Sequence, residues 1–271
     1  MQFRRVGRGL LGGAAALYAA IVLVMFLLQT ELLFPRGAVG PAGPLPPGTE
    51  QLQMRGADGD VLRGVHIAPR EPGDERLLVI GFGGNAWNAA NAATLLHETY
   101  PRADVVAFHY RGYAPSTGSP SGRALMADAP LIYDLAVARI RPARTIAVGF
   151  SIGSAVAAVL AGERPVDGVI LVTPFDSLKS VAAAWYPWLP VRALFRHEID
   201  AAGALERSDA RVAIISAEHD EVVPTARTEA LKRRVPHLVF DRSIAGARHN
   251  DPYWRPEFGR LMNEALAAVR G

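Results

Sequence analysis

The sequence predicts an α/β domain, a mostly parallel central sheet with helices on both faces, set behind one N-terminal transmembrane helix. Three observations predict it. Short apolar runs rich in β-branched residues alternate along the chain with stretches of helical spacing, the pattern of strands joined by crossover helices. Those runs are apolar throughout instead of alternating with polar residues, as strands buried between two helix layers require. Finally, Leu10 to Leu28 contains no charged residue over about nineteen positions, close to the length that crosses a hydrocarbon core as a helix.

From the N-terminus, "MQFRRVGRG" places Arg4, Arg5 and Arg8 ahead of the apolar run. The run ends in "FLLQTELLFPRG", which has bulky residues and no small-x-small cleavage site. It therefore reads as an uncleaved signal anchor, in preference to a cleaved signal peptide. A soluble helix apolar all round would need protein on every side. Arginines ahead of the span favour a cytoplasmic N-terminus, which puts the rest of the chain on the extracytoplasmic side. "PRGAVGPAGPLPPG" is too rich in proline and glycine for a helix or a central strand. The expected organisation is a basic N-terminus (1–9), a transmembrane signal anchor (10–29), a Pro/Gly-rich tether (30–49) and the folded domain (50–271).

Within the domain, "QLQMRGADGDVLRGVHIA" reads as a hairpin around Asp58-Gly59. "RLLVIGF" is a buried strand, "NAATLLHETY" a helix and "ADVVAFHY" a second buried strand. "ALMADAPLIYDLAVARI" is a helix, bent near Pro130. "TIAVGF" is a strand that leads into a helix after Ser151, with Gly162 as its stop. "GVILVTPF" and "RVAIISAEHD" are further strands. "TARTEALKRRV" is a helix, "HLVFDRSI" a strand and "PEFGRLMNEALAAVR" the closing helix.

Composition narrows the chemistry. Half of the 271 residues are apolar, enough for a real core. Cysteine is absent, which excludes disulfides, a thiolate nucleophile and any Cys-based metal site. The net charge of +3 is spread along the chain without a basic stripe, so nucleic acid is not an expected partner. There is no H-E-x-x-H, P-loop or dinucleotide fingerprint; no metal or other cofactor is expected.

Gly149-Phe150-Ser151-Ile152-Gly153 stands between a strand and a helix. This is the G-x-S-x-G arrangement in which a serine hydroxyl is raised on a tight turn as a nucleophile. A serine that merely caps the helix would give the same local pattern. A nucleophilic serine needs a base, and the base needs an orienting acid. Asp220 follows the "VAIISAEH" strand and His249 sits in the loop "AGARHND" after the last strand. Asp176 in "TPFDS" competes with Asp220 as the acid, since it too lies just past a strand. His219 reads as a loop residue and His197 as an exposed or capping one. For a tetrahedral oxyanion, the expected donors are the backbone N–H groups of Ile152 and of Asn85, the latter in the loop "GGNAWN".

These segments resemble the α/β-hydrolase superfamily. The matching stretches are "FGGNAWN", "YRGYAPSTGSPS", "GFSIGSAVA", "TPFDSL", "YPWLPV", "AEHDEVVP" and "ARHNDP", with "ELLFPR" after the span. They are similar to the membrane-anchored branch that includes serine-aminopeptidase-like hydrolases and protein depalmitoylases. The resemblance implies an α/β-hydrolase fold, with Ser151 as nucleophile, Asp220 as acid and His249 as base. One position departs: Gly83 stands where such proteins carry a histidine in the oxyanion loop. Arg111, in the loop "YRGYAPSTGSPS", is expected to tie that loop together through carbonyl hydrogen bonds. The thirty or so residues between Ser177 and Asp209 leave room for a short lid carrying Trp185, Tyr186, Trp188, Leu189 and Phe195, or for ordinary packing at the sheet edge. The expected function is cleavage of an ester or thioester in a small-molecule or acylated substrate, with the bilayer as the other partner. The alternatives are an amide or peptide hydrolase, and a catalytically silent membrane-tethered binding domain.

Overall fold

The structure, a computed structural model, describes residues 2–56, 58–71 and 73–271, with residues 2–8 by backbone alone. The side chains of Arg4, Arg5 and Arg8, on which the expected basic N-terminus rests, lie outside the described residues. Helix α1 (Gln2–Leu33) is long and apolar enough to cross a membrane, and its most apolar window is unburied by protein. Phe34, directly after it, is buried in the domain core. The proline-rich segment that follows lies along the domain surface. There Asn88 and Asn91 donate to the carbonyls of Gly40 and Pro41, and Gly43 N–H donates to Asn91 Oδ1 at 2.7 Å.

Among the described residues, eight strands form one sheet. Strands β1 (Glu50–Arg55) and β2 (Val61–Ile67) make the leading antiparallel hairpin. They are followed by β3 (Leu77–Phe82), β4 (Ala103–Phe108), β5 (Arg144–Phe150) and β6 (Gly168–Val172), then β7 (Arg211–Ala217) and β8 (Leu238–Ile244). The spatial order is β1-β2-β4-β3-β5-β6-β7-β8, parallel from β4 to β8. The order reverses at β3, so consecutive connections leave on opposite faces and a crevice opens at the strands' carboxyl ends.

The strands' apolar character has its reason in this arrangement. Leu78, Ile80 and Phe82 of β3 enter one core, with Val169 and Leu171 of β6. Leu77 and Val79 enter the other, with Ile170 and Val172. The first core is closed by α3 (Gly122–Ile140), α4 (Ile152–Glu163), α7 (Ala201–Leu205) and α8 (Thr225–Lys232). The second is closed by α2 (Ala89–Thr99) and α9 (Phe258–Arg270). Between β6 and α7 the chain forms α5 (Leu178–Trp185) and the single turn α6 (Val191–Leu194).

Three local expectations are corrected. Helix α4 does not stop at Gly162 but runs to Glu163, because Gly162 is the point at which α7 crosses: a Cβ there would sit 2.7 Å from the Ala204 carbonyl. Arg111 is held by carboxylates and not by carbonyls. Its Nε donates to Asp128 Oδ2 at 3.1 Å, Nη2 donates to Asp128 Oδ1, and Nη1 pairs with Asp58. The guanidinium is 2% exposed, so it ties the 110–120 loop to α3 and to the β1–β2 turn. His197 is neither exposed nor capping: it is buried, with Nε2 2.8 Å from Thr30 Oγ1 of α1 and its ring edge-on to Phe34.

His109, buried just past β4, has no partner for Nδ1 among the described residues. Burial disfavours its cation and holds its pKa down to about 4. The unfolded chain takes up this proton near pH 6.5, well before the folded one does. The group's contribution is thus intact above about pH 6.5 and is lost as pH falls toward 4. Thermal midpoints in detergent should therefore fall more steeply for wild type than for His109→Phe across that window. Parallel profiles would contradict this account.

Candidate active site

The turn between β5 and α4 puts Ser151 at φ 51° and ψ −117°, a left-handed backbone that a side-chain-bearing residue adopts only under constraint. The constraint is close approach. A Cβ on Gly149 would meet the Gly153 carbonyl at 2.2 Å, and one on Gly153 would meet the Phe82 carbonyl at 2.1 Å. Only hydrogen fits at both positions, and the elbow closes because of it. Ser151 N–H donates to the Val172 carbonyl at 2.9 Å, pinning the turn to β6. Ser151 occupies the cap position of α4, yet its hydroxyl makes no capping bond. Its Oγ lies 2.8 Å from His249 Nε2.

His249 is 4% exposed in the loop after β8. Its Nδ1 sits 2.9 and 2.8 Å from the two carboxylate oxygens of Asp220, in the loop after β7. An ionised carboxylate only accepts, so Nδ1 carries the proton and Nε2 offers a lone pair to the serine. Asp220 is itself fixed: Oδ1 accepts from the backbone N–H of Val222 at 2.9 Å and of Val223 at 2.7 Å. Glu221 accepts the His249 backbone N–H, which holds its own carboxyl below the ordinary carboxylate range. Asp176, the other acid considered, faces Arg227 at 3.2 Å instead. Ser151, His249 and Asp220 thus meet from three separate strand ends.

The backbone N–H groups of Asn85 and Ile152 have no hydrogen-bond partner among the described residues, and both residues border the same cavity as Ser151. The Ile152 amide opens the N-terminus of α4, where the helix dipole favours negative charge. The loop with Gly83 in place of histidine is held by other groups. Tyr110 donates to the Gly83 carbonyl at 2.7 Å and Tyr113 donates to Asn85 Oδ1 at 2.7 Å. Asn85 Nδ2 in turn donates to the Leu33 carbonyl at the end of α1 at 2.7 Å. Burial raises the pKa of both phenols, so they stay neutral donors.

Above the serine is a cavity of ≈ 400 Å³, within the usual range of small-ligand sites. Val181, Trp185, Leu189 and Leu194 give it apolar walls on the lid side, from α5, α6 and their link, with Phe175 from the loop after β6. The 177–209 segment divides: α5 and α6 form the lid, whereas α7 is buried in the core. The opposite wall was absent from the sequence reading. It is α1 itself, through residues such as Val22, Phe26 and Leu33. A helix apolar all round carries no periodicity to mark which face lines a cavity. Tyr110 and Tyr113 were also missed, since nothing local ties them to partners 27 and 28 residues upstream. Among the described residues, no group of three or more His, Cys, Asp or Glu side chains is placed to hold a metal.

Comparison with known proteins gives concordant results. A family model described as the alpha/beta hydrolase fold matches residues 77–206. An uncharacterized protein of Mycobacterium tuberculosis is 30% identical over 257 residues, covering 93% of this chain and 90% of the relative. The lysophosphatidylserine lipase ABHD12 of Danio rerio is 28% identical over 193 residues, covering 60% of this chain and 50% of the lipase; the match spans about half of that protein's length. In structure, a Pyrococcus furiosus esterase superposes with a TM-score of 0.66 at 17% identity, covering 85% of this chain and 97% of the esterase, which speaks to the fold alone.

The elbow's sterics are directly testable. Gly149→Ala should destabilise by about 1–3 kcal/mol through overpacking. Gly259→Ala, in α9 with open space around its Cβ position, should be neutral or stabilising by up to about 1 kcal/mol. Denaturant midpoints of the two variants check the contrast.

Proposed function

The chain belongs to the α/β-hydrolase superfamily, and from that premise we propose that it is a membrane-anchored serine hydrolase cleaving an ester or thioester of an apolar acyl chain. The observation that carries this reading is the 2.8 Å contact of Ser151 Oγ with His249 Nε2 at the floor of an apolar cavity. In the proposed reaction, His249 Nε2 takes the hydroxyl proton as Ser151 Oγ attacks the acyl carbonyl. The imidazolium is stabilised by Asp220, which also keeps the ring in the productive tautomer. The developing oxyanion is received by the N–H groups of Asn85 and Ile152. Collapse of the tetrahedral intermediate breaks the bond to the alcohol or thiol, which leaves with the proton from His249. Water, giving a proton to the same nitrogen, then attacks the acyl carbonyl; the bond to Ser151 Oγ breaks, the serine takes that proton back from His249, and the carboxylic acid departs.

The apolar walls favour an acyl chain over an aminoacyl group, which argues for an ester or thioester ahead of an amide or peptide bond. The lipase activity in the name of the Danio rerio relative supports a single-chain lipid ester as one substrate class. A silent binding domain would have no need of a serine held in strain against a histidine. The long apolar α1 supports residence in the membrane, with residues 10–29 as the proposed span; the arginines ahead of it in the sequence favour the domain's lying on the extracytoplasmic side.

The test is hydrolysis of p-nitrophenyl esters from acetate to palmitate by the full-length protein in detergent. Wild type should turn over and be labelled by a fluorophosphonate. Ser151→Ala should lose both, and Asp220→Asn should retain folding while kcat falls by roughly 10³–10⁴-fold. Full activity in Ser151→Ala would end the proposal.

A further inference from the structure

The lid does not stand clear of the anchor; it runs down alongside it. Tyr18 of α1 donates its hydroxyl to the Trp188 carbonyl at 2.8 Å. Gln29 Nε2 donates to the Leu194 carbonyl at 3.3 Å and Gln29 Oε1 accepts the Arg196 N–H at 2.8 Å. The Arg196 guanidinium lies over the Phe26 ring, 4.6 Å from its centroid, and donates to the Phe26 carbonyl. Residues 188–196 are thus matched against residues 18–29 of the apolar helix. Tyr18 and Gln29 are about 16 Å apart along a helix rising ~1.5 Å per residue, roughly half of a hydrocarbon core of ~30 Å.

This contact leaves two possibilities. Either the lid lies within the leaflet, or the upper half of the apolar stretch of α1 stands in water. The second would expose Leu23, Val24, Leu27 and Leu28 of α1, all of which face away from protein. It would also expose Trp185 and Trp188, whose surfaces are 53% and 54% open. Six large apolar side chains so exposed on α1 and the lid are more than the singly scattered ones of a soluble protein. The polar groups fit the first possibility. A group in hydrocarbon is costly unless paired within the protein, and three groups at this depth are so paired: the Tyr18 hydroxyl, the Trp188 carbonyl, and the Trp185 indole N–H, which donates to the Val222 carbonyl at 2.8 Å. Charge returns at Arg192 and Arg196, the exposed arginines on either side of Leu194, whose carbonyl meets Gln29, as expected of interfacial arginines that reach toward headgroups.

We propose that the lid segment 185–191 is embedded in the bilayer leaflet beside α1, and that the cavity between them receives its acyl chain laterally from that leaflet and not from water. The embedding stands on the contacts above; the delivery of substrate rests on the serine-hydrolase reading. Val22 and Phe26 on one side and Trp185 and Leu189 on the other would then be the residues that select the acyl chain.

The chain has no cysteine, so a single introduced thiol reports one position. Full-length protein would be reconstituted in phosphatidylcholine vesicles, with an environment-sensitive dye on Trp188→Cys and, separately, on Val239→Cys. Val239 is exposed at the start of β8, the end of the sheet away from the site. The dye at position 188 should be quenched by lipids bearing a nitroxide on the acyl chain and shielded from aqueous iodide, with the reverse at position 239. Quenching at 188 by iodide and not by the lipid nitroxide would overturn the embedding.

Delivery is tested with Trp188→Glu, whose side chain does not border the cavity. A charge placed in the leaflet should lower turnover of a vesicle-borne palmitoyl ester at least about tenfold, while p-nitrophenyl acetate hydrolysis and fluorophosphonate labelling hold. Unchanged vesicle turnover, or an equal fall in both substrates, would overturn delivery from the leaflet. Absence of fluorophosphonate labelling in wild type would instead refute the serine-hydrolase reading, with the quenching result still standing by itself.

Discussion

The close approach of β5 and α4 organises everything around it. With hydrogen alone at Gly149 and Gly153, the first turn of α4 presses against the end of β3 at Phe82. That contact brings the loop after β3 beside the elbow, so the Asn85 and Ile152 amides and the Ser151 hydroxyl border one space. A non-glycine residue held at positive φ costs of order 1–3 kcal/mol. The cost falls on Ser151 and is offset by the two cores that hold β5 between them. The histidine and the acid come from loops after β8 and β7, on the far side of β5 from β4 and β3 in the sheet. The crevice at the strand ends is where the two sides converge.

Helix α1 plays a part that its composition does not announce. Its last carbonyls lack intrahelical partners, as at any helix end, and the Leu33 carbonyl is taken by the side chain of Asn85. Thr30 engages the buried His197, and Phe34 enters the core. The element that reads as an anchor therefore also supports the loop next to the serine and supplies a wall of the cavity. The departure at Gly83 finds its physical counterpart here. In the loop that carries Gly83, the holding bonds come from Tyr110, Tyr113 and the end of α1.

Much of this was legible in the sequence, for local reasons. Strand and helix alternation follows from periodicity, and the tight turn at Ser151 follows from glycines whose sterics are set by their neighbours. Asp220 and His249 were legible as polar residues at strand ends, although the choice between Asp220 and Asp176 needed the spatial pairing of Asp176 with Arg227. Contacts between segments far apart in the chain were not legible. Arg111 meets Asp58 and Asp128, fifty-three residues before it and seventeen after, and nothing in its own loop indicates either. His197 was misjudged because its partner, Thr30, lies 167 residues away near the end of α1. The face of α1 that borders the cavity had no signature, because every face of that helix is apolar.

The joint between α1 and the domain has a further consequence. Gln29 and Thr30 are tied to the 194–197 segment, the Leu33 carbonyl to Asn85, and Phe34 to the core, so the junction is a weld and not a swivel. With α1 in a bilayer, the domain keeps one pose and one height, and its mouth cannot swing out to sample the solution. The protein would meet its substrates by a two-dimensional search. Surface density of the lipid, and the lateral diffusion of lipid and protein past one another, would then set the encounter rate, while the bulk concentration of the same molecule in water would hardly matter.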